Sequence, residues 1–163
     1  ILIPNRFGWT AQVNRSATLG AARQQLTLYN EPFANAEAVP GRNAYLVTRD
    51  TGGDEWFQLF VRGIDGSSAV LTEPGTRNQF PTFSRDGSLM AWSRAMRGSA
   101  DYAIFAADPA DPASARMLWQ GVGAVGPADI SNDGRTILVS RSISNRENRL
   151  MLLDVASASV RPV

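Results

Sequence analysis

Short apolar runs separated by polar turns recur along this chain of 163 residues. The clearest repeat reads FPTFSRDGSLMAWSR at residues 80–94 and GPADISNDGRTILVSR at residues 126–141. In both copies Ser-x-Asp-Gly separates two apolar runs and Ser-Arg ends the second, and Asp86 and Asp133 lie 47 residues apart. The runs have the length of strands, and a strand-only repeat of this period predicts a β-propeller, in which each repeat forms one four-stranded blade.

The last two copies of the repeat each contain four predicted strands. These strands are 79–84, 89–93, 102–107 and 115–119, followed by 128–131, 136–140, 150–155 and 159–163. The polar segments between them are predicted as loops, at 95–100, 109–114 and 143–148.

Two earlier copies are more divergent. One has strands at 44–48, 56–61 and 69–72, and the first has strands only at 1–3, 10–16 and 24–28. We therefore expect an all-β fold, a partial β-propeller of about three and three-quarter four-stranded antiparallel blades. It would form a single domain, with blades at approximately 1–30, 31–74, 75–121 and 122–163. Because the first copy lacks its first strand, we expect this chain to be a segment of a longer protein. In isolation such a segment leaves sheet edges open, so we expect it to be marginally stable or to associate through those edges.

The Asp-Gly pairs and the tryptophans have structural explanations. Asp bonds its own backbone and Gly accepts positive φ, so Asp86-Gly87 and Asp133-Gly134 are predicted to be structural turns. Sialidase-type Asp boxes read Ser-x-Asp-x-Gly and are not matched here. Three tryptophans, Trp56, Trp92 and Trp119, fall within predicted strands, and Trp9 precedes one. We expect all four to pack between blades.

Composition excludes several classes of function. The chain has no His and no Cys, which removes a Ser-His-Asp triad, a Cys-His dyad and His- or Cys-based metal sites. We therefore predict no catalytic residue, no metal and no cofactor in this segment. A net charge of +1 favours neither nucleic acid nor a membrane surface, and no apolar run reaches the length of a membrane span. The sequence does not distinguish the bacterial periplasm from the cytoplasm.

The candidate contact residues are charged side chains at predicted loops. Asp50 and Glu55 flank Gly52-Gly53, with Arg49 and Asp54 beside them. Loops carry function more often than strands do, so these residues are candidates for contact with a substrate or a second domain. The alternative is a solvated hairpin with an Arg49 ion pair.

Several arginines occupy matching places in successive repeats. Arg94 and Arg141 end the same phrase in two copies, and further arginines follow at Arg97, Arg146 and Arg149. They are candidates for an arginine-lined face that meets substrate carboxylates or a partner domain. The alternative is an exposed charged rim.

The repeats and one specific run resemble the propeller domains of the prolyl oligopeptidase family of serine peptidases, including its dipeptidyl peptidase IV and acylaminoacyl peptidase branches. The run RDTGGDEWFQLF at residues 49–60 is similar to a stretch that reads D-x-G-G-x-E-x-x-Q-L-Y in bacterial members. The blade phrase by itself is shared with TolB-like and tricorn-type propellers.

The resemblance implies a propeller that gates substrate access and docks an α/β-hydrolase domain of the same chain, which hydrolyses short peptides. The nucleophile would lie in that domain, since this segment has no Gly-x-Ser-x-Gly and no His. In the dipeptidyl peptidase branch, propeller acids bind the amino terminus of the substrate. Asp54 and Glu55 are the candidates here, although the double-Glu helix motif of that branch is absent.

Two other functions remain open. The first is a TolB-like, non-enzymatic protein-binding propeller of the bacterial envelope. The second is a propeller hydrolase, such as a lactonase or glycosidase, with acids around the central channel. Few acids fall at equivalent strand starts, which disfavours the second.

Overall fold

The computed structural model describes residues 1–6 and 9–163, which form fifteen strands in four antiparallel sheets. The first sheet has three strands, β1 (Leu2–Arg6), β2 (Ala11–Ser16) and β3 (Arg23–Gln25). The second comprises β4 (Asn35–Ala38), β5 (Ala44–Arg49), β6 (Gln58–Gly63) and β7 (Ser68–Val70). The third comprises β8 (Thr76–Phe83), β9 (Met90–Met96), β10 (Ala103–Asp108) and β11 (Asp111–Gln120). The fourth comprises β12 (Val125–Ile130), β13 (Thr136–Ser144), β14 (Glu147–Asp154) and β15 (Val160–Pro162).

Within each sheet, strands that are consecutive in sequence are neighbours in space. This order makes each sheet a simple antiparallel meander, with β4, β8 and β12 at one edge and β7, β11 and β15 at the other. The predicted all-β, partial β-propeller of three and three-quarter blades is thus confirmed. No helix in the described part of the chain is long and apolar enough to cross a membrane.

The sheets pack face to face through three apolar clusters, each shared by two neighbours. The first and second sheets share a cluster around Val13 and Val47, and the second and third share one around Leu59 and Trp92. The third and fourth are joined around residues that include Ile137. Burying one such side chain stabilises the fold by about 1.5–3 kcal/mol, so these clusters hold the array together.

Alternation along β5 explains why its sequence is apolar almost throughout. Tyr45 and Val47 belong to the cluster with the first sheet, whereas Leu46 belongs to the cluster with the third. Successive side chains of a strand point to opposite faces, so a sheet covered on both faces needs apolar residues at every position.

Several local predictions were wrong. Residues 109–114 were expected to form a loop, but β11 begins at Asp111. Its pairing with β10 is irregular at two places, which lets this polar stretch continue the sheet. The loops expected at 95–100 and 143–148 are shorter, because β9 and β13 extend to Met96 and Ser144.

The tryptophan predictions divide into two outcomes. Trp92 is fully buried between the second and third sheets, and Trp119 packs against the cluster of the third and fourth, as expected. Trp56 lies in the connection before β6 rather than within a strand. Trp9 is 94% exposed, so it does not pack between blades.

The Asp-Gly turns are closed by side-chain hydrogen bonds. Asp86 Oδ1 accepts from the Ser88 amide at 3.0 Å and from the hydroxyls of Ser84 and Ser88 at 2.8 Å each. The amide bond from Ser88, followed by the two hydroxyl bonds, lowers the pKa of Asp86 to about 2. Asp133 makes the matching bond to Ser131, at 2.6 Å.

The two turns differ in what surrounds them. Gly87 and Gly134 both have positive φ, at 68° and 67°. A Cβ on Gly87 would overlap the carbonyl oxygen of Pro40 in the preceding sheet, whereas a Cβ on Gly134 would meet open space. Arg42 reinforces the first contact by donating from Nε to the Gly87 carbonyl oxygen at 3.0 Å. Thus one turn also docks two blades.

We expect Gly87→Ala to destabilise the chain more than Gly134→Ala does. Gly134→Ala introduces only the left-handed backbone cost, about 1 kcal/mol, whereas Gly87→Ala adds the collision with Pro40 and costs more than about 2 kcal/mol. Urea unfolding of the two variants measures the difference. Equal losses would show that the turn at Gly87 does not dock the blades.

Candidate functional site

The predicted contact residues lie at one end of the propeller. This end, called the loop end here, carries the connections between the second and third strands of the four-stranded sheets: residues 50–57 between β5 and β6, 97–102 between β9 and β10, and 145–146 between β13 and β14. The Asp86 and Asp133 turns join first to second strands and therefore lie at the opposite end.

Residues 50–57 form a loop with a defined internal structure. Asp50 Oδ2 accepts from the Glu55 amide at 2.7 Å, closing the loop across Gly52 and Gly53. Both glycines have positive φ, and so does Glu55, at 58°. Positive φ is uncommon outside glycine, so the Asp50 bond holds Glu55 in a conformation it would not otherwise prefer. Asp50 therefore shapes the loop.

The loop is tied to its neighbours on both sides. Glu55 pairs with Arg77 of the third sheet at 3.1 Å, and Asp54 lies 3.8 Å from Arg97. The Arg97 guanidinium also lies 4.2 Å from the ring centroid of Trp56. Glu31, before the second sheet, accepts from the Gly52 amide at 3.4 Å. These contacts are exposed and individually worth about 1 kcal/mol or less, but together they fix where the loop's charges lie.

Arg49, Arg94 and Arg141 occupy one repeat-equivalent position, near the end of the second strand of successive sheets. Arg49 makes cation–π contacts, with its guanidinium carbon 5.1 Å from the Tyr29 ring and 5.2 Å from the Phe60 ring. Arg49 therefore packs between the first two sheets. The sequence indicated two other roles for it, a functional contact or an ion pair in a solvated hairpin.

Arg94 is 7% exposed and lies between the second and third sheets. Its Nε donates to Asn78 Oδ1 at 3.2 Å, and its guanidinium carbon lies 3.9 Å from the Phe105 ring centroid. Burial lowers the pKa of the Arg94 guanidinium, and Glu73, 3.9 Å away, counteracts part of that shift. An arginine this enclosed supports packing and is not accessible to a carboxylate in solution.

Arg141 lies directly opposite Arg149 in the β13–β14 pairing. Its Nε is buried and has no hydrogen-bond partner among residues 1–6 and 9–163. Arg149 pairs instead with Glu147 at 3.2 Å. Like charges directly opposite each other repel. Arg141 therefore has fewer favourable contacts than Arg49 and Arg94, the equivalent arginines of the preceding sheets.

The predicted residues do not converge on a single site. Asp50, Asp54 and Glu55 share the loop, while the three arginines are separated along the successive faces between sheets. Two of the predicted groups are exposed: the loop with Asp54 and Glu55, and the β13–β14 hairpin with Arg146 and Arg149. The loop is the stronger candidate for contact with another molecule, because side-chain contacts to its neighbours hold its charges in place.

Glu37 is a notable group that sequence analysis missed. It lies on β4, an edge strand, opposite Leu46. Its Oε1 is buried without a hydrogen-bond partner in the described residues, and burial raises the pKa of its carboxyl. The equivalent positions of the next two sheets, opposite Ala91 and Leu138, hold Thr82 and Asp129. One signal was available: a lone acid within the small apolar run Ala36 to Val39.

Comparison with known proteins supports the fold. No protein-family model matches the chain, and no curated protein matches it in sequence. Three solved structures illustrate the similarity found: TolB from Acinetobacter baumannii, an oligogalacturonate lyase in complex with manganese, and a prolyl endopeptidase. Their TM-scores are 0.64, 0.75 and 0.68, and their sequence identities are 16%, 16% and 13%.

These matches cover 93%, 94% and 93% of this chain, but only 37%, 42% and 26% of the respective structures. The chain thus spans less than half the length of each of these three structures. The predicted similarity to TolB-like and prolyl oligopeptidase-type propellers is confirmed at the level of the fold. Because a lyase shares the same fold, function must be argued from the site.

We expect Glu37→Gln to stabilise the chain at pH 7.5 and to have no effect near pH 3.5. The raised pKa means that ionised Glu37 is disfavoured in the folded state, so stability falls as pH rises through the unfolded and then the folded pKa. The unfolded pKa is about 4.3, below which both proteins carry a neutral side chain. Urea unfolding at the two pH values measures this, with Glu31→Gln as the exposed control. A loss of stability of Glu37→Gln at pH 7.5 would contradict the conclusion that ionised Glu37 is disfavoured in the folded state.

Proposed function

We propose that this chain is the non-catalytic propeller segment of a prolyl oligopeptidase-type serine peptidase. The propeller docks an α/β-hydrolase domain of the same polypeptide and gates access to it. That domain hydrolyses short peptides. The observation that carries this proposal is the loop at residues 50–57. Its sequence resembles that family, and its charged groups are held in place at the loop end.

The distribution of chemistry supports a division of labour. A serine peptidase needs an imidazole or an equivalent base beside its nucleophile, and this chain contains no His. The charged cluster of the loop can instead orient a neighbouring domain, because complementary charges fix register between surfaces. This arrangement assigns recognition to the propeller and bond cleavage to the partner domain.

The loop end is the better docking surface of the two ends. There Asp54, Glu55 and Arg97 are partly or largely exposed, with side-chain exposures of 46%, 70% and 64%. At the opposite end, the carboxylates of Asp86 and Asp133 are occupied by their own turns. A surface whose charges remain accessible can pair with a second domain.

The single-domain organisation, with blades at 1–30, 31–74, 75–121 and 122–163, is part of this proposal. The prolyl endopeptidase among the similar structures is described in terms of inter-domain dynamics in catalysis and specificity. A propeller that moves relative to its hydrolase domain would use the same loop end as its contact.

The second candidate is a TolB-like protein-binding propeller, favoured by the similarity to TolB. It needs no hydrolase domain, and the same loop end would bind a separate protein. The two functions therefore make opposite predictions about hydrolysis by the polypeptide that carries this segment.

We expect a fluorophosphonate to label the polypeptide that carries this segment. Peptides of the present sequence identify that polypeptide by mass spectrometry, and the labelled serine should map outside these residues. Hydrolysis of short peptides should disappear with labelling. Neither labelling nor hydrolysis would overturn the peptidase proposal, and recovery of a separate protein partner by the unlabelled polypeptide would favour the TolB-like function.

We expect Trp56→Ala in that polypeptide to lower kcat/KM for a short peptide by about tenfold. The change removes the ring under Arg97 and so releases the charged loop, while the buried clusters stay intact. Trp9→Ala, which truncates a 94% exposed ring, is the matched control. If both variants keep full activity, the loop is not the docking contact, although the peptidase assignment would stand.

A further inference from the structure

A cleft of about 480 Å³ opens between the third and fourth sheets, beside the edge strands β8 and β12. Phe80 and Gln79 border it from β8, and Gly126 and Pro127 border it from β12. Tyr102, from the connection between β9 and β10 at the loop end, also lines it. None of the predicted contact residues lines this cleft.

Phe80 is held in an unusual state. Its side chain is 63% exposed and its φ is 54°. A positive φ is a genuine outlier for a bulky residue, and a residue before proline, here Pro81, is normally extended. Single exposed apolar side chains are ordinary, but one kept on a strained backbone is not.

A bulge accounts for the position of Phe80. The pairing of β8 with β9 shifts between Gln79 and Thr82, so that Phe80 stands outside the regular register. Strand β12 is irregular at the matching place, between Pro127 and Asp129, whereas β4 pairs regularly with β5. Bulges re-aim side chains next to binding sites.

The ring of Phe80 lies over Gly126 on the neighbouring strand. A Cβ at Gly126 would come within 3.1 Å of Phe80 Cδ2. Gly126 is not among the glycines with positive φ, so the conformation of its backbone does not explain the glycine. It leaves room for the aromatic ring at the cleft wall.

The lining of the cleft is uncharged. Phe80, Tyr102 and Pro127 provide apolar surface, and Ser140 and Ser142 provide hydroxyls. Ser140 is half-buried and Ser142 is exposed, so both hydroxyls are open to a ligand in the cleft. Such a site prefers a flat apolar group beside a neutral donor or acceptor and disfavours an ion, which would lose its hydration without gaining a counter-charge.

We propose that this cleft binds an uncharged aromatic ring attached to a neutral hydrogen-bonding group, the chemistry of an aromatic residue within a peptide. The ring stacks on Phe80, and Ser140 and Ser142 bond the neutral group. Offset or edge-to-face contact between rings adds to the burial of apolar area. This inference goes beyond the proposed docking role and does not depend on a hydrolase domain.

Binding is tested on the chain with three probes, by NMR shift titration. N-acetyl-tryptophanamide presents the ring with neutral amides, p-cresol presents a ring with a hydroxyl but no amide, and N-acetyl-lysinamide presents a cation. We expect the first to bind, with shifts concentrated at Tyr102, Ser140 and Ser142, and the third not to bind. A pentapeptide Gly-Gly-Trp-Gly-Gly with blocked ends separates the sources: tighter binding than p-cresol indicates a peptide, and equal binding indicates a small aromatic compound.

Phe80→Gly separates a binding role from a packing role. Glycine accepts the positive φ, so the variant should keep or raise Tm. Its affinity for N-acetyl-tryptophanamide should fall by about tenfold, because the ring that stacks on the ligand is lost. Ala158→Gly is the matched control: φ is 57° there, strain is relieved in the same way, and the cleft is untouched. Gly126→Ala, which crowds the ring without backbone strain, should also weaken binding.

Several results would overturn the proposal. One is that N-acetyl-tryptophanamide does not bind, or binds no better than N-acetyl-lysinamide. Another is that Phe80→Gly lowers Tm or fails to fold, which would make the ring part of the packing. A third is unchanged affinity in both Phe80→Gly and Gly126→Ala.

Discussion

Face-to-face burial of the sheets is the constraint on which the rest of this structure depends. Strand β5 places Val47 against the first sheet and Leu46 against the third, so the second sheet is apolar on both faces. Such a sheet has no stable form on its own, because either face would be open to water. The repeat must therefore be stacked. The connections at both ends must hold neighbouring sheets at a distance that keeps the clusters around Trp92 and Ile137 closed.

The two ends of the stack meet this requirement differently. At the end that carries the Asp86 and Asp133 turns, Gly87 is set against the carbonyl of Pro40, and Arg42 bonds across the junction and pairs with Asp108 at 2.9 Å. At the loop end, side chains bridge the sheets, as Glu55 and Arg97 do. A backbone contact leaves little room for change, and the Arg42–Asp108 pair beside it is only 31% and 41% exposed, whereas Glu55 and Arg97 of the loop end are 70% and 64% exposed. That difference is the physical basis for assigning recognition to the loop end.

Repeat-equivalent residues acquired separate roles because their surroundings differ. Arg49 stacks on aromatic rings, Arg94 is enclosed with Asn78 and Phe105, and Arg141 faces Arg149. The same holds along the edge strands. The strand β8 bulges and turns Phe80 outwards, while β4 stays regular and buries part of Glu37. A repeated fold thus supplies several different local environments, and similarity to TolB, a lyase and a peptidase does not choose among them.

The sequence by itself determined the period, the strand-only architecture and the Asp-Gly turns, because these depend on local chemistry: the alternation of apolar side chains and the conformations open to Asp86 and Gly87. It also predicted a loop between the strands expected at 44–48 and 56–61, since paired glycines between charged residues are a local signal, and the structure extends that loop to residue 57. Only the tertiary structure decided that Arg94 is buried, that Trp9 is exposed and that β11 starts at Asp111. It alone revealed the Phe80 cleft, because the bulge is a feature of the pairing between β8 and β9, and the cleft forms only where the third and fourth sheets meet, so neither can be read from the residues of one strand.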